Sequence, residues 1–262
     1  MPFENSSNGS VVFTLDLLAD IHGLHPNVRV CGEAYVAVKH CLLGRASGSP
    51  QQPTKEVPVD HKFSNPLAVP KSDLSCIKKL YSHPQAWGQC KLFLATYLKG
   101  IERCDVSSTS KAAEIVAQDE TGESAALSSA VAADLFKLDV LAESINDHLG
   151  NATRFLVLRH GDDDMVEEVS GNDSTGQWKS LVTFTLDHGN PGALAKCLAV
   201  FERAGINLTS INTRPSGVEN WHYVFFVEFQ GRKGEEKVKK ALEELEGVCR
   251  ECMWKGSWES QL

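Results

Sequence analysis

Between residues 181 and 258 the hydrophobic pattern switches repeatedly between a period of two and a period of 3.6, and few folds accommodate that order. Val182, Phe184 and Leu186 alternate with Thr183 and Thr185, the signature of a half-buried strand. Asn190-Pro191 reads as a helix cap with Pro at the first helical position. Leu194, Cys197, Leu198 and Phe201 then share one helical face, and Gly205 stops the helix. Residues 206–213 form a second strand, turned by Pro215-Ser216-Gly217. Residues 222–229 are apolar almost throughout, which marks a central third strand. Val238, Ala241, Leu242 and Leu245 make a second helical face closed by Gly247, and residues 248–254 supply a fourth strand. The order β-α-β-β-α-β is that of a split βαβ sandwich, with a domain over 177–262.

The segment ahead of it reads as an α/β domain. Ser10 caps a helix with Val11, Leu15 and Leu18 on one face. Residues 28–43 hold one or two strands, and residues 77–81 a short one. Pro84 opens a helix with Trp87, Cys90, Leu94 and Leu98 inward, stopped by Gly100. Residues 107–118 and 124–137 are Ala-rich helices, and Val140-Leu141 sits in a short strand. Two stretches break the pattern. Residues 45–73 hold five Pro among Ser and Gly and read as a loop; residues 161–176 are acidic and read as a solvated linker.

Charge narrows the function. A net charge of −8 argues against a nucleic-acid protein, which carries a basic face. No apolar run is long enough to span a bilayer, and the first residues lack the regions of a signal peptide. Cys249 and Cys252 stand as C-x-x-C without a second pair or a nearby His, so a zinc site is not expected; reduced thiols in a cytoplasmic protein fit the eight Cys.

Polar clusters fall at three element junctions. They are Glu4-Asn5-Ser6-Ser7, Ser82-His83-Pro84-Gln85 and Asn151-Ala152-Thr153-Arg154-Phe155, the last expected just before a strand. A hydroxyl beside a guanidinium suits a site that holds a carboxylate and assists a departing oxygen. The series continues through Glu-Asn-Ser-x-x-Gly-Ser-Val-x-x-Thr-Leu-Asp-Leu-Leu (residues 4–18), Gly32-Glu33, His40-Cys41-Leu42-Leu43, and Gln89-Cys90. In this order it resembles prephenate dehydratase, in a fungal-like form. Gly192-Ala193-Leu194 and Arg214-Pro215 resemble the ACT domain of that family.

The resemblance implies a two-lobed, type 2 periplasmic-binding-protein-like catalytic domain over 1–160. Lobe one would hold 1–29 and 145–160, and lobe two 30–144; a ferredoxin-like βαββαβ ACT domain follows. It implies decarboxylating dehydration of prephenate to phenylpyruvate, on the route to L-phenylalanine, with no cofactor and no metal. Thr153 would donate to the leaving hydroxyl, Arg154 would hold a carboxylate directly or by shaping the pocket, and Phe155 would pack behind the ring. Asn5 and Gln85 are amides suited to orienting substrate oxygens, with Ser6, Ser82 and His83 beside them. Glu4 would orient its neighbours, since a bare carboxylate repels a dianion. L-phenylalanine would be the effector, met by Asn190, Pro191, Gly192, Ala193 and Leu194 and by Thr213, Arg214 and Pro215, in a homodimer or homotetramer. The family's Glu-Ser-Arg-Pro is here Asn212-Thr213-Arg214-Pro215, which changes the charge of that motif.

The family's upstream Gly-Pro-x-Gly-Thr-Phe-Ser segment is not found, so the catalytic domain is expected to be N-terminally truncated. Three readings stay open: a prephenate dehydratase, an arogenate dehydratase, and an inactive module that binds phenylalanine or dimerises.

Overall fold

Thr153, Arg154 and Phe155 lie inside a strand rather than ahead of one, and that strand organises the N-terminal part of the chain. In the computed structural model, which describes residues 1–48, 65–161, 177–187 and 189–262, the elements begin with β1 (Pro2–Asn5), β2 (Gly9–Ser10), α1 (Val12–Ala19) and β3 (Val28–Ala37). Next come β4 (Cys41–Gly44), β5 (Lys79–Ser82), α2 (Pro84–Gln89), α3 (Lys91–Tyr97) and β6 (Glu102–Asp105). They continue with α4 (Thr109–Gln118), β7 (Ser124–Ser128), α5 (Ala130–Phe136), β8 (Asp139–Ala142) and β9 (Ala152–His160). The last are β10 (Trp178–Thr185), α6 (Ala193–Arg203), β11 (Leu208–Pro215), β12 (Tyr223–Gln230), α7 (Glu236–Val248) and β13 (Glu251–Glu259). Most of the expected 45–73 loop and nearly all of the 161–176 linker lie outside the described residues.

The chain forms two compact units, Met1–Val36 with Ala152–Leu262, and Ala37–Asn151. Relative to the expected lobes, β3 takes its place beside β9 in the order β2-β1-β9-β3, which draws residues 30–36 into the first unit, while residues 145–151 group with the second. The same unit holds the antiparallel sheet β11-β12-β10-β13, the expected βαββαβ topology with β12 and β10 central. Val182, Phe184, Val227 and Phe229 pack with Cys197, Phe201, Val238 and Leu245 of α6 and α7. The opposite face is also buried: Leu181, Val224, Phe226 and Trp258 join Phe3, Leu15, Leu18, Val30 and Leu156. The alternation of Thr183 and Thr185 had pointed to a half-buried strand. A sheet covered on both faces explains why Thr183 is buried as well.

The second unit is built on the sheet β6-β5-β7-β4-β8, with β5 parallel to β6 and β7 and β4 antiparallel to β7 and β8. Leu42, Leu80, Ala125 and Leu127 belong to one core cluster, and Cys41, Leu43 and Ala126 to another with Ala112, Ala113 and Val116 of α4. Residues 124–137 are therefore not one helix. Ser124–Ser128 is a strand buried along its whole length, and Ser129 caps the helix that follows. The helix propensity of Ala is a weak prior, and burial between two layers overrides it.

The helix expected from Pro84 breaks at Cys90, where φ is −131° and ψ 30°. The Asp147 carboxylate accepts from the backbone N–H of Lys91 and Leu92, both at 2.9 Å, and so caps a new helix there. Two other caps also differ. Ser10 belongs to β2, and the cap position of α1 is Val11, which makes no side-chain cap. The cap of α6 is Gly192, at φ 80°, rather than Asn190. Among the described residues no helix is long and apolar enough to cross a membrane.

Candidate functional site

Pairing of β1 with β9 brings two of the three polar clusters together. Glu4 stands opposite Arg154 and Asn5 opposite Thr153, with the register shifting between Pro2 and Glu4. Directly opposed side chains on one face are within reach of each other. The Asn5 Nδ2 group donates to Thr153 Oγ1 at 3.1 Å and to the Ala152 carbonyl at 3.2 Å. Asn5 Oδ1 accepts from the N–H groups of Ser7 and Asn8, both at 3.0 Å, which fixes the amide's orientation. Ser6 closes the pair: its N–H donates to the Ala152 carbonyl at 2.9 Å, and its hydroxyl accepts the Ala152 N–H at 3.0 Å. With Asn5 as the donor, the Thr153 hydroxyl accepts and keeps its own proton for another acceptor. Thr153 and Phe155 are both half-buried.

Arg154 points into a buried set of charges. Its Nε donates to Glu33 Oε2 at 2.8 Å, and its Nη2 lies 2.6 Å from Glu228 Oε2 and 2.6 Å from Glu33 Oε2. Lys179 Nζ stands 3.3 Å from Glu33 Oε1 and 3.7 Å from Glu228 Oε1. Thr209 Oγ1 donates to Glu228 Oε1 at 2.7 Å, and the Gln261 N–H to Glu33 Oε1 at 2.9 Å. Rings of Phe3, Tyr35 and Trp258 lie 5.4, 6.0 and 6.0 Å from the Arg154 guanidinium carbon. Two cations thus face two carboxylates, each partner supplied by a different strand or by the segment after β13.

Titration behaviour follows from these contacts. Burial pushes the Glu33 carboxyl up, but the Gln261 N–H, Arg154 and Lys179 outweigh it and hold the group below the usual carboxylate range. Burial disfavours the Arg154 cation, yet Glu228 and Glu33 raise its affinity for the proton above the ordinary value, so it stays charged. The Tyr35 phenol is pushed up to about 12 by burial, which Arg154 opposes and Glu33 and Glu228 reinforce.

A cavity of about 400 Å3 opens beside this set, lined in part by Glu4, Ser6, Tyr35, Arg154, Lys179 and Glu228. Glu4, Ser6 and Arg154 were singled out in the sequence, whereas Lys179, Thr209, Tyr35 and Glu228 were not. The signal was there. Glu228 is the one charge in the run Tyr-Val-Phe-Phe-Val-Glu-Phe of β12, and a lone charge in a buried strand needs a partner.

The remaining substrate-site candidates lie in the second unit. Ser82 ends β5, fully buried, with its hydroxyl donating to the Leu127 carbonyl at 2.9 Å. His83 caps α2, its Nδ1 accepting the Gln85 N–H at 3.3 Å, and the Gln85 side chain is exposed. These residues follow the carboxyl end of a parallel strand, where open α/β sheets place ligands. Among the described residues no group of three or more His, Cys, Asp and Glu is placed to hold a metal.

The effector candidates fall in two places. Asn190, Pro191 and Gly192 are exposed ahead of α6, Ala193 is buried and Leu194 half-buried. The left-handed Gly192 lets this segment turn into the helix. Thr213, Arg214 and Pro215 end the edge strand β11. There Arg214 grips Asp16 of α1 with two hydrogen bonds, 2.6 and 3.1 Å long, and Asn212 accepts from the Ser10 hydroxyl at 2.5 Å.

The sequence model of the family described as "Prephenate dehydratase" matches residues 1–163. The chain belongs to the prephenate dehydratase family. A second model, "ACT domain", matches residues 184–247. The chain is 36% identical over 245 residues to the bifunctional chorismate mutase/prephenate dehydratase of Aquifex aeolicus; the match covers 94% of this chain and 56% of that protein. It is 32% identical to a probable prephenate dehydratase of Saccharomyces cerevisiae, covering 97% of this chain and 79% of that one. A prephenate dehydratase from Arthrobacter aurescens, solved in complex with L-Phe, has 29% identity and a TM-score of 0.77, covering 99% of this chain and 74% of that chain. The α/β segment and the βαββαβ sheet that follows it are therefore the catalytic-domain and ACT folds of this family.

Proposed function

We propose that the chain catalyses the conversion of prephenate to phenylpyruvate, carbon dioxide and water, with L-phenylalanine as its effector. The observation that carries this reading is the Asn5–Thr153 hydrogen bond in the matched family segment. As the substrate's carboxylate leaves as CO2, the electron pair moves into the ring and expels the ring hydroxyl. Thr153 donates a hydrogen bond to that departing oxygen, and the oxygen takes up a proton to leave as water. The Asn5 amide, donating to Thr153 Oγ1, polarises the threonine O–H toward the leaving group. No electrons are exchanged with an external group, so the balance requires no redox partner. Arg154 shapes the carboxylate side of the pocket, Phe155 backs the ring, and Glu4 and Ser6 add polar groups beside them; Ser82, His83 and Gln85 are the substrate-binding residues proposed for the second unit.

The ACT domain takes the effector reading. The Arthrobacter relative was solved with L-Phe, and Asn190 to Leu194 together with Thr213 to Pro215 are the residues proposed to meet it here. A homodimer or homotetramer in the cytoplasm is proposed with it.

Phenylpyruvate formation tests the reading, with prephenate and arogenate compared as substrates. The chain is expected to turn over prephenate, and Thr153→Ala to lower kcat by about 10²–10³, the loss for removing one donor to a developing oxyanion. Near-normal turnover by a folded Thr153→Ala chain refutes the assignment, and a preference for arogenate changes the substrate but not the reaction type.

A further inference from the structure

The guanidinium that the proposed reaction places at a substrate carboxylate is already held by two carboxylates of the protein itself. One of them, Glu228, comes from β12 of the ACT domain. We infer that Glu228 is a positioning residue for Arg154: it competes with the substrate's carboxylate for the guanidinium, and β11 sets how strongly it competes. This rests on the proposed function above.

The geometry gives the route. Each oxygen of Glu228 has one close donor, Arg154 Nη2 at 2.6 Å on Oε2 and Thr209 Oγ1 at 2.7 Å on Oε1, with Lys179 farther off at 3.7 Å. Thr209 lies where the pairing of β11 with β12 slips, between Leu208 opposite Phe229 and Ser210 opposite Glu228. A bulge of this kind re-aims a side chain, and here the hydroxyl meets the Glu228 carboxylate. The same strand ends in Thr213, Arg214 and Pro215, and Arg214 is bound to Asp16 of α1. A shift of β11 therefore alters the donor on Oε1. The more Thr209 withdraws, the more of the Glu228 charge is left for Arg154. The cavity of about 400 Å3 on which Arg154, Lys179, Thr209 and Glu228 all border gives an incoming carboxylate access to the contested group.

The sign of the effect separates this role from a structural one. A scaffold residue, once altered, loosens the site and raises KM. A competitor, once neutralised, lowers it. Glu228→Gln keeps the shape and removes the charge. It is expected to lower KM for prephenate by about fivefold or more, a usual size for coupling between sites, with kcat within about twofold of the parent. Glu228→Asp, which restores the charge, is expected to bring KM back. Thr209→Val keeps the volume and all four charges, and is expected to raise KM and to shrink any change in KM that L-phenylalanine produces.

Binding without turnover is read by calorimetry with prephenate in a Thr153→Ala background, with and without Glu228→Gln. If Glu228→Gln does not fold, Thr209→Val alone decides. A chain that binds prephenate with KM and Kd unmoved, or weakened, by Glu228→Gln overturns this inference and leaves the proposed function standing. A KM unmoved by Thr209→Val overturns the part assigned to β11. A chain that neither turns over nor binds prephenate overturns both.

Discussion

Replacing Arg154 by Met tests what the buried charge set contributes. Arg154 is 6% exposed, Glu33 6% and Glu228 2%, so solvent cannot take over the guanidinium's part. In the parent, two cations balance two carboxylates. Without Arg154, Lys179 alone faces both, from 3.3 and 3.7 Å, and the 2.6 and 2.8 Å contacts of the guanidinium are gone. Removing one member of a buried pair costs about 3–5 kcal/mol, chiefly because a charge is left uncompensated. The same reasoning makes a second, opposite claim. Adding Glu228→Leu to Arg154→Met removes the orphaned carboxylate and leaves Glu33 with Lys179. The double variant is expected to recover about 2 kcal/mol or more over the single one. Urea unfolding followed by tryptophan fluorescence reads the difference, since Trp178, Trp221, Trp254 and Trp258 all lie in this unit. A single variant that loses less than about 1 kcal/mol, the worth of an exposed pair, or a double variant less stable than the single, refutes the account.

Further perturbations address other parts of the fold. Gly256 sits at φ 147°, and a Cβ there would fall 2.0 Å from the Val30 carbonyl oxygen; Gly256→Ala is expected to cost on the order of 3 kcal/mol or more, and a melting temperature within a few degrees of the parent would contradict this. His40 is buried, with Nε2 2.7 Å from Gln89 Oε1, and burial outweighs that contact to lower its pKa. The folded state thus binds the proton less well than the unfolded one. Stability is full above the unfolded value of about 6.5 and falls as pH drops from there through the folded pKa. The protection of the Cys41–Gly44 amides, their exchange rate taken relative to the unfolded-chain rate at the same pH, should fall over that window and should lose this pH dependence in His40→Asn; an unchanged protection profile counts against it. Cutting the chain after residue 176 removes Leu181, Val224, Phe226 and Trp258 from the cluster they form with Phe3, Leu15 and Leu156. At roughly 1.5–3 kcal/mol for each side chain, the loss is about the net stability of a domain. A monomeric 1–176 fragment with cooperative unfolding would show that cluster to be dispensable.

What the sequence disclosed follows how local the deciding interactions are. The βαββαβ order was legible from period alone, because Leu194, Cys197 and Phe201 on one helix and Val238, Ala241 and Leu245 on the other need only their own spacing to declare an inward face. Residues 124–128 were not legible, because Ser-Ala-Ala-Leu-Ser has no period and owes its extended form to layers on both sides. The break at Cys90 was hidden for the same reason, since Asp147, which caps the new helix, lies far along the chain. At the candidate site, two separate polar clusters and the family resemblance pointed to Asn5 and Thr153 one at a time. Only the register of β1 on β9 makes them a hydrogen-bonded pair.

Arg154 shows how a motif read as a string can have an unforeseen setting. Thr-Arg-Phe suggests a cation waiting for an anionic ligand, and β9 does turn the guanidinium toward a cavity. Three charges outside the motif decide its state. Glu33 comes from β3, Lys179 from β10 and Glu228 from β12. Each interrupts or flanks an apolar strand, a position where an unpaired charge is costly, so each required an opposite charge somewhere in the fold. Glu33, Lys179 and Glu228 bring two carboxylates and one ammonium to a single buried set, and the Arg of the motif supplies the second cation that balances it. The residue best suited to a substrate carboxylate is thus also the residue that neutralises the interior. If Arg154 meets a substrate carboxylate as proposed, its affinity is set by how firmly Glu33 and Glu228 hold it as well as by the cavity it faces.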